Sequence, residues 1–104
     1  MSDHDAVERV ITMAWRAQVC LDLGGHLIVD RGLRVPTTQA EIFEILQDAD
    51  MLDAPLSQSL MQMARFRNLL VHDYARIEPD KVLKILQKHL GDLDAFRRRV
   101  LSQI

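Results

Sequence analysis

The final quarter of the chain carries an apolar stripe whose spacing predicts one long α-helix. It follows Glu78-Pro79-Asp80, which supplies a polar cap, a proline for the first helical position and an acid for the first turn. Apolar positions then recur every three or four residues, with one histidine among them: Val82, Ile85, Leu86, His89, Leu90, Leu93, Phe96 and Val100. Because aromatic residues make up only 5% of the sequence, the core must be largely aliphatic, and this spacing favours an all-α protein.

A first helix is predicted from the capping residues near Asp3 to about Val29. Its second half contains Gly24-Gly25, where each glycine costs on the order of 1 kcal/mol relative to alanine. We interpret the pair as a point where another helix comes close, from this chain or from a second subunit. A kink in the helix is the alternative.

A second, shorter helix is predicted after the loop over residues 31–37, which contains both glycine and proline. Thr38 and Glu41 have the spacing of a capping box, in which each side chain bonds the backbone N–H at the other position. The helix continues to about Ala49, with an apolar face of Ile42, Phe43, Ile45 and Leu46.

A third helix is predicted to begin after Asp53, which is its cap, with Pro55 in the first turn. It runs to around His72 or Tyr74. A chain of 104 residues has room for one core, so we expect residues 1–104 to form a single domain. Four helices with short connections favour an antiparallel four-helix bundle.

Charged residues on the third helix occupy two faces, where an ordinary surface helix has one. At about 100° per residue, Arg67 falls on the apolar side, together with Leu56, Leu60, Met63, Leu70 and Tyr74. The opposite side carries Arg65, Asn68, His72 and Arg76. An arginine within an apolar stripe is costly unless its charge is paired or used, so this segment is the candidate functional site.

The net charge of −2 excludes a broad basic field that would attract nucleic acid. Any contact with RNA must come from a local patch, for which the candidates are Arg65, Arg67, Arg76 and the triplet Arg97 to Arg99. Helix C-termini prefer cations, and this preference explains the triplet more simply than RNA binding does.

Cys20 is the one cysteine, in an apolar stretch, and we expect an inert core thiol. No apolar run is long enough to span a membrane, and no signal-peptide pattern opens the chain. The expected location is therefore the cytoplasm.

Arginine and histidine together supply the groups that RNA cleavage without a metal requires. The arginine fork matches a phosphate, and histidine can transfer a proton near neutral pH. Histidine would assist the ribose 2′-hydroxyl in attacking the adjacent phosphorus, while arginine stabilises the charge that develops. The sequence lacks metal-ligand spacing and a glycine-rich phosphate loop, so neither a metal nor a cofactor is predicted.

Arg67 and His72 are five positions apart, which is about 140° around an unbroken helix. To share one phosphate, they require either a helix that deforms before His72 or a two-fold dimer that combines residues from two chains. We favour the dimer. In the non-catalytic alternative, Arg67 pairs with an acid from another helix and His72 caps carbonyl groups at a helix end.

The segment Arg67-Asn68-Leu69-Leu70-Val71-His72-Asp73-Tyr74 resembles the Arg-x4-His-x-Tyr signature of HepT-like proteins in the HEPN superfamily. The similarity extends from about Val7 to Phe96. It includes Ile77-Glu78 followed by Val82, the Gly-Leu-Arg-Val-Pro-Thr loop before Glu41 and Phe43, and His26 on the first helix.

The resemblance implies an all-helical homodimer that acts as a metal-independent ribonuclease toxin, with transfer RNA as one candidate substrate. Arg67 would bind phosphate and stabilise its charge, His72 would act as acid and base, and Asn68 would be a polar support. The partner implied is an MNT-type nucleotidyltransferase antitoxin that transfers AMP from ATP to Tyr74. AMP there would add bulk and negative charge beside the phosphate site.

Members of this family usually begin with a further helix before the segment that opens this chain. We expect the absence of that helix to expose apolar surface on the bundle. The alternative function is a non-catalytic helical module that binds a nucleotide or docks the nucleotidyltransferase.

Overall fold

The computed structural model describes residues 3–73 and 78–103 of the chain. Its four helices are α1 (Asp3–Asp30), α2 (Gln39–Asp48), α3 (Ala54–Asp73) and α4 (Pro79–Leu101). All regular structure in the described residues is helical, which confirms the predicted all-α class and the four helices. Tyr74 and Arg76 lie outside the described residues.

The helix caps follow the sequence signals, with one difference at α2. Thr38 is the N-cap, and its hydroxyl accepts a hydrogen bond from the Glu41 backbone N–H at 3.2 Å. The Glu41 carboxylate does not complete the predicted box by bonding the Thr38 N–H. It instead accepts from the backbone N–H of Thr37, at 3.1 Å, from the Thr37 hydroxyl and from Arg34. These Thr37 hydrogen bonds, followed by the one from Arg34, lower the pKa of Glu41.

The helices α1 and α4 run in the same direction. A Cβ on Gly24 would lie 3.9 Å from Phe96, and farther along Arg31 Nη2 donates to the Gln103 carbonyl at 3.1 Å. Both pairs join residues 72 positions apart, so residue numbers increase in the same direction along the two helices.

The helix α3 runs opposite to α4. Ser59 near its start bonds Asp92, and Met51 just before it accepts from Arg99 Nη2 at 3.2 Å. The antiparallel arrangement predicted for the bundle therefore holds for α3 against α4. The short α2 lies in the connection between α1 and α3, which leaves α1 parallel to α4.

The core is continuous through all four helices and is centred on two phenylalanines. Phe43 of α2 and Phe96 of α4 are both 0% exposed, and their rings meet edge to face with centroids 5.6 Å apart. Such aromatic pairs stabilise a core beyond the area they bury. Val10 and Leu21 of α1 and Leu60 of α3 are buried in the same core.

Gly24 marks the close approach of α2 to α1 within one chain. A Cβ at Gly24 would lie 2.6 Å from Ile42 Cγ2, whereas a Cβ at Gly25 would have nothing within 4 Å. The predicted close approach is therefore confirmed for Gly24, and the neighbouring helix is α2. Gly25 has no such packing reason.

The face between α1 and α4 is an apolar groove of about 820 Å³. Trp15 is 68% exposed there, beside Val19, Leu23 and Leu90. Two members of the predicted α4 stripe, Ile85 and Leu90, are exposed, and Leu90 lines this groove. None of the described helices is long and apolar enough to cross a membrane.

Candidate functional site

The helix α3 separates its side chains into a buried face and an exposed face, as its sequence predicts. Leu60, Met63 and Leu70 are buried in the core, whereas Arg65 and His72 are exposed. Arg67 lies between these two environments and is partly buried. The helix therefore holds one guanidinium at the boundary between the core and solvent.

The guanidinium of Arg67 is held by neutral groups. Its Nη1 donates to Gln39 Oε1 and to Asn68 Oδ1, at 3.4 Å each. Its Nε is buried and has no hydrogen-bond partner. Among the described residues, no carboxylate lies within 4.0 Å of it.

This environment excludes the predicted ion-pair alternative for the described part of the chain. A buried N–H without an acceptor costs about 1–3 kcal/mol, and an amide oxygen does not cancel the positive charge. The site therefore retains a guanidinium whose charge is available to an anion.

His72 is exposed in the last turn of α3. The helix is α-helical without interruption through Asp73, so no deformation turns His72 toward Arg67. No hydrogen bond joins the His72 side chain to the described residues, and so it does not cap a helix there. Within one chain, Arg67 and His72 face different directions.

The remaining predicted site residues divide into three groups. Asn68 contacts Arg67 directly, and its role as a polar support stays a prediction. Arg65 is exposed and about 200° around the helix from Arg67, so the two arginines do not form one patch on a single chain. Tyr74 and Arg76 fall outside the described residues.

Gln39 is the contact that the sequence did not reveal. It is the first residue of α2 and lies 28 positions before Arg67. Nothing in its local pattern signals a role beyond filling the position after the Thr38 cap.

A second polar cluster joins α3 to α4. His89 is 3% exposed, its Nδ1 lies 3.1 Å from Asp92 Oδ2, and Ser59 bonds the same carboxylate oxygen. In a catalytic triad the serine and the acid contact different ring nitrogens, but here Ser59 lies on the Nδ1 side, 3.4 Å away. The cluster therefore connects two helices and is not a nucleophilic site.

A sequence profile described as "Ribonuclease HepT-like" matches residues 1–100. The chain belongs to the HepT-like family. The mRNA nuclease HepT of Shewanella oneidensis is 32% identical to it over 79 residues, which is 76% of this chain and 59% of that relative. This HepT-like chain thus spans about three fifths of the curated relative's length.

Solved structures place the fold in the HEPN superfamily, as the sequence predicted. The tri-AMPylated HEPN toxin of Shewanella oneidensis, in complex with an MNT antitoxin, matches with a TM-score of 0.80 and 27% identity, over 89% of this chain and 70% of that chain. The Bacillus subtilis cytosolic protein YutE, of unknown function, matches with a TM-score of 0.90 over 99% of this chain and 72% of its own. At 20% identity, the second likeness concerns the fold alone.

Proposed function

We propose that residues 1–104 form a HepT-like domain that acts as a metal-independent endoribonuclease toxin. The observation that carries this proposal is the guanidinium of Arg67, whose Nη1 lies 3.4 Å from two amide oxygens and which has no carboxylate partner in the described chain. A positive charge held in this way fits a phosphate. The similarity to an mRNA nuclease supports RNA as the polymer.

In this mechanism the ribose 2′-hydroxyl attacks the adjacent phosphorus and His72 takes its proton. The P–O2′ bond forms and the bond to the 5′-oxygen breaks, while solvent water gives a proton to the leaving oxygen and His72 afterwards returns its proton to solvent. Arg67 stabilises the charge on the phosphoryl oxygens as they become more negative. The products are a 2′,3′-cyclic phosphate and a free 5′-hydroxyl.

The two residues act together in a two-fold dimer, with Arg67 from one chain and His72 from the other. The uninterrupted α3 supports this arrangement, because it leaves the two side chains divergent within one chain. A two-fold axis beside α3 would generate two identical clefts. Arg65, exposed on the same helix, and Arg76 are the further candidates for RNA contacts in each cleft.

The primary experiment is cleavage of total cellular RNA by purified protein in excess EDTA. The wild type is expected to cleave, while Arg67→Ala and His72→Ala are expected to lose cleavage. His26→Ala removes another exposed histidine, on α1, and is the matched control that should retain activity. Undiminished cleavage by His72→Ala would reject its proton-transfer role, and a folded dimer that leaves RNA intact would favour the non-catalytic binding module.

Mixing the two inactive variants tests the composite cleft. Random exchange of subunits makes about half of the dimers mixed, and each mixed dimer contains one intact cleft out of two. Cleavage should therefore return to about a quarter of the wild-type rate. No recovery after confirmed subunit exchange would place Arg67 and His72 of one chain in the same cleft.

The proposed neutralising partner is an MNT-type nucleotidyltransferase, since the similar Shewanella toxin was solved in AMPylated form with such an antitoxin. The phenol oxygen of Tyr74 would attack the α-phosphorus of ATP, so that a tyrosyl–AMP ester forms and pyrophosphate leaves. Mass spectrometry after incubation with the partner and ATP should find AMP on the wild type and none on Tyr74→Phe. An unchanged adduct on Tyr74→Phe would exclude this target.

A further inference from the structure

We infer that Gln39 is a positioning residue for Arg67, and that its neutral amide keeps the guanidinium available to the RNA phosphate. This inference rests on the proposed ribonuclease function. Gln39 lies on a different helix from Arg67, yet its Oε1 accepts from Arg67 Nη1. Among the described residues, it is the hydrogen-bond partner that another helix supplies to the Arg67 side chain.

The backbone at Gln39 belongs to a helix that is packed into the core. It follows the Thr38 cap at the start of α2, and the same helix packs Ile42 against Gly24 and buries Phe43 completely. Ser57 of α3, which is 0% exposed, also donates to the Phe43 carbonyl at 2.9 Å. The backbone position of this acceptor is therefore set by the packed core.

Only some of the N–H donors of Arg67 have a hydrogen-bond partner among the described residues. Nη1 meets the two amide oxygens of Gln39 and Asn68, and Nε is enclosed without an acceptor. The Nη2 group donates to none of the described residues, so it is the donor left for a phosphate oxygen. Gln39 thus determines which edge of the fork faces the substrate.

The choice of an amide at this position has an electrostatic consequence. The first turn of a helix favours a carboxylate, because the helix dipole is positive there, and a carboxylate would also pair with Arg67. Glutamate at residue 39 would therefore stabilise the fold while it neutralised the charge that a phosphate needs. Glutamine keeps the hydrogen bond and leaves that charge uncompensated.

The test compares Gln39→Glu and Gln39→Met with Gln58→Glu. Gln58 is exposed on α3, nine positions before Arg67 and about 180° around the helix from it, so its replacement adds the same charge away from Arg67. We expect Gln39→Glu to melt at or above the wild-type temperature and to lose roughly ten- to a hundredfold in kcat/KM for RNA. Gln39→Met should lower kcat more than it raises KM, and Gln58→Glu should behave as the wild type.

Two results would overturn the inference. One is cleavage by folded Gln39→Glu at the rate of Gln58→Glu. The other is a loss of activity in both Gln39 variants that merely follows a lower melting temperature, since a structural role alone would produce it.

A readout without RNA separates this inference from the proposed function. The enclosed Nε–H of Arg67 should exchange slowly with solvent in the wild type and faster in Gln39→Met, as measured by NMR. Faster exchange in Gln39→Met together with an inactive wild type would reject the ribonuclease and retain the positioning role. Equal exchange in the two proteins would reject the positioning role, whatever the wild type cleaves.

Discussion

The adjacent glycines of α1 allow the packing of α2 to be measured by two single substitutions. Alanine at either position gains helix propensity of about 1 kcal/mol. At Gly25 nothing lies within 4 Å of the added methyl group, so that gain should appear in full. For a domain of this size, Gly25→Ala should raise the melting temperature by about 4–8 °C.

At Gly24 the same gain is opposed by a collision. The new methyl group would lie 2.6 Å from Ile42 Cγ2 and 3.5 Å from Leu46 Cδ1, while carbon atoms pack best at about 3.5–4.0 Å. Ile42 is β-branched and only 9% exposed, so it cannot rotate away freely. Overpacking of this kind costs about 1–3 kcal/mol, so we expect Gly24→Ala to be that much less stable than Gly25→Ala.

The free energy of unfolding of both variants is measured by urea titration, with far-UV circular dichroism as the signal. Equal slopes of this free energy against urea concentration would show that only stability has changed. The propensity gain cancels in the comparison, so the difference reports the collision alone. In an Ile42→Ala background, which removes the opposing methyl group, the penalty of Gly24→Ala should shrink. Equal stabilisation by the two alanines in the parent protein would refute the close approach of α2 to Gly24.

Three further outcomes follow from the described contacts. Burial raises the pKa of Cys20 to about 11, so at pH 8 roughly one thiol in a thousand is ionised. Alkylation of Cys20 should therefore be slow until urea unfolds the protein. Rapid labelling of the native protein would contradict this expectation. The pKa of Glu41 is lowered by its hydrogen bonds from Thr37, so its contribution to stability is complete above the ordinary value of 4.5 and is lost as the pH falls through the folded value. The stability difference between wild type and Glu41→Gln should accordingly shrink from pH 7 to pH 3 in urea titrations, and a constant difference would exclude the pairing. Asp53 accepts from the Leu56 N–H at 2.9 Å, and Asp53→Ala should cost about 0.5–2 kcal/mol, measured by the same titration; no change would mean that the cap does not contribute.

The helices could be predicted from the sequence because their ends carry local chemistry. Thr38 and Asp53 both accept backbone N–H groups as expected, and Pro79 begins α4. The direction of α1 relative to α4 could not be predicted, since it depends on how the short α2 lies between two long helices. Local capping signals do not contain that information.

The candidate site, like the fold, could be predicted from the sequence only in part. Arg67 and Asn68 are neighbours in sequence, and their contact follows from the segment that the motif defines. Gln39 is 28 residues away, and it reaches the guanidinium because α2 packs antiparallel to α3, with Phe43 against Ser57 and Gln39 against Arg67. The composite cleft is harder still to predict from the sequence, because it depends on how a second chain packs against the first.

The parallel course of α1 and α4 gives the arginine triplet a structural use. Both helices end at the same pole of the molecule, where α3 begins, so two negative dipole ends and one positive end lie together there. Arg97 and Arg98 lie 3.5 and 3.4 Å from Asp94, and Arg99 donates to the Met51 carbonyl. His72 lies at the far end of α3, a helix of 20 residues or roughly 30 Å. Arg98 and Arg99 lie in the last turn of α4, where positive charge is favoured by the helix dipole, so the most basic run of the sequence lies at the pole of the molecule opposite to His72.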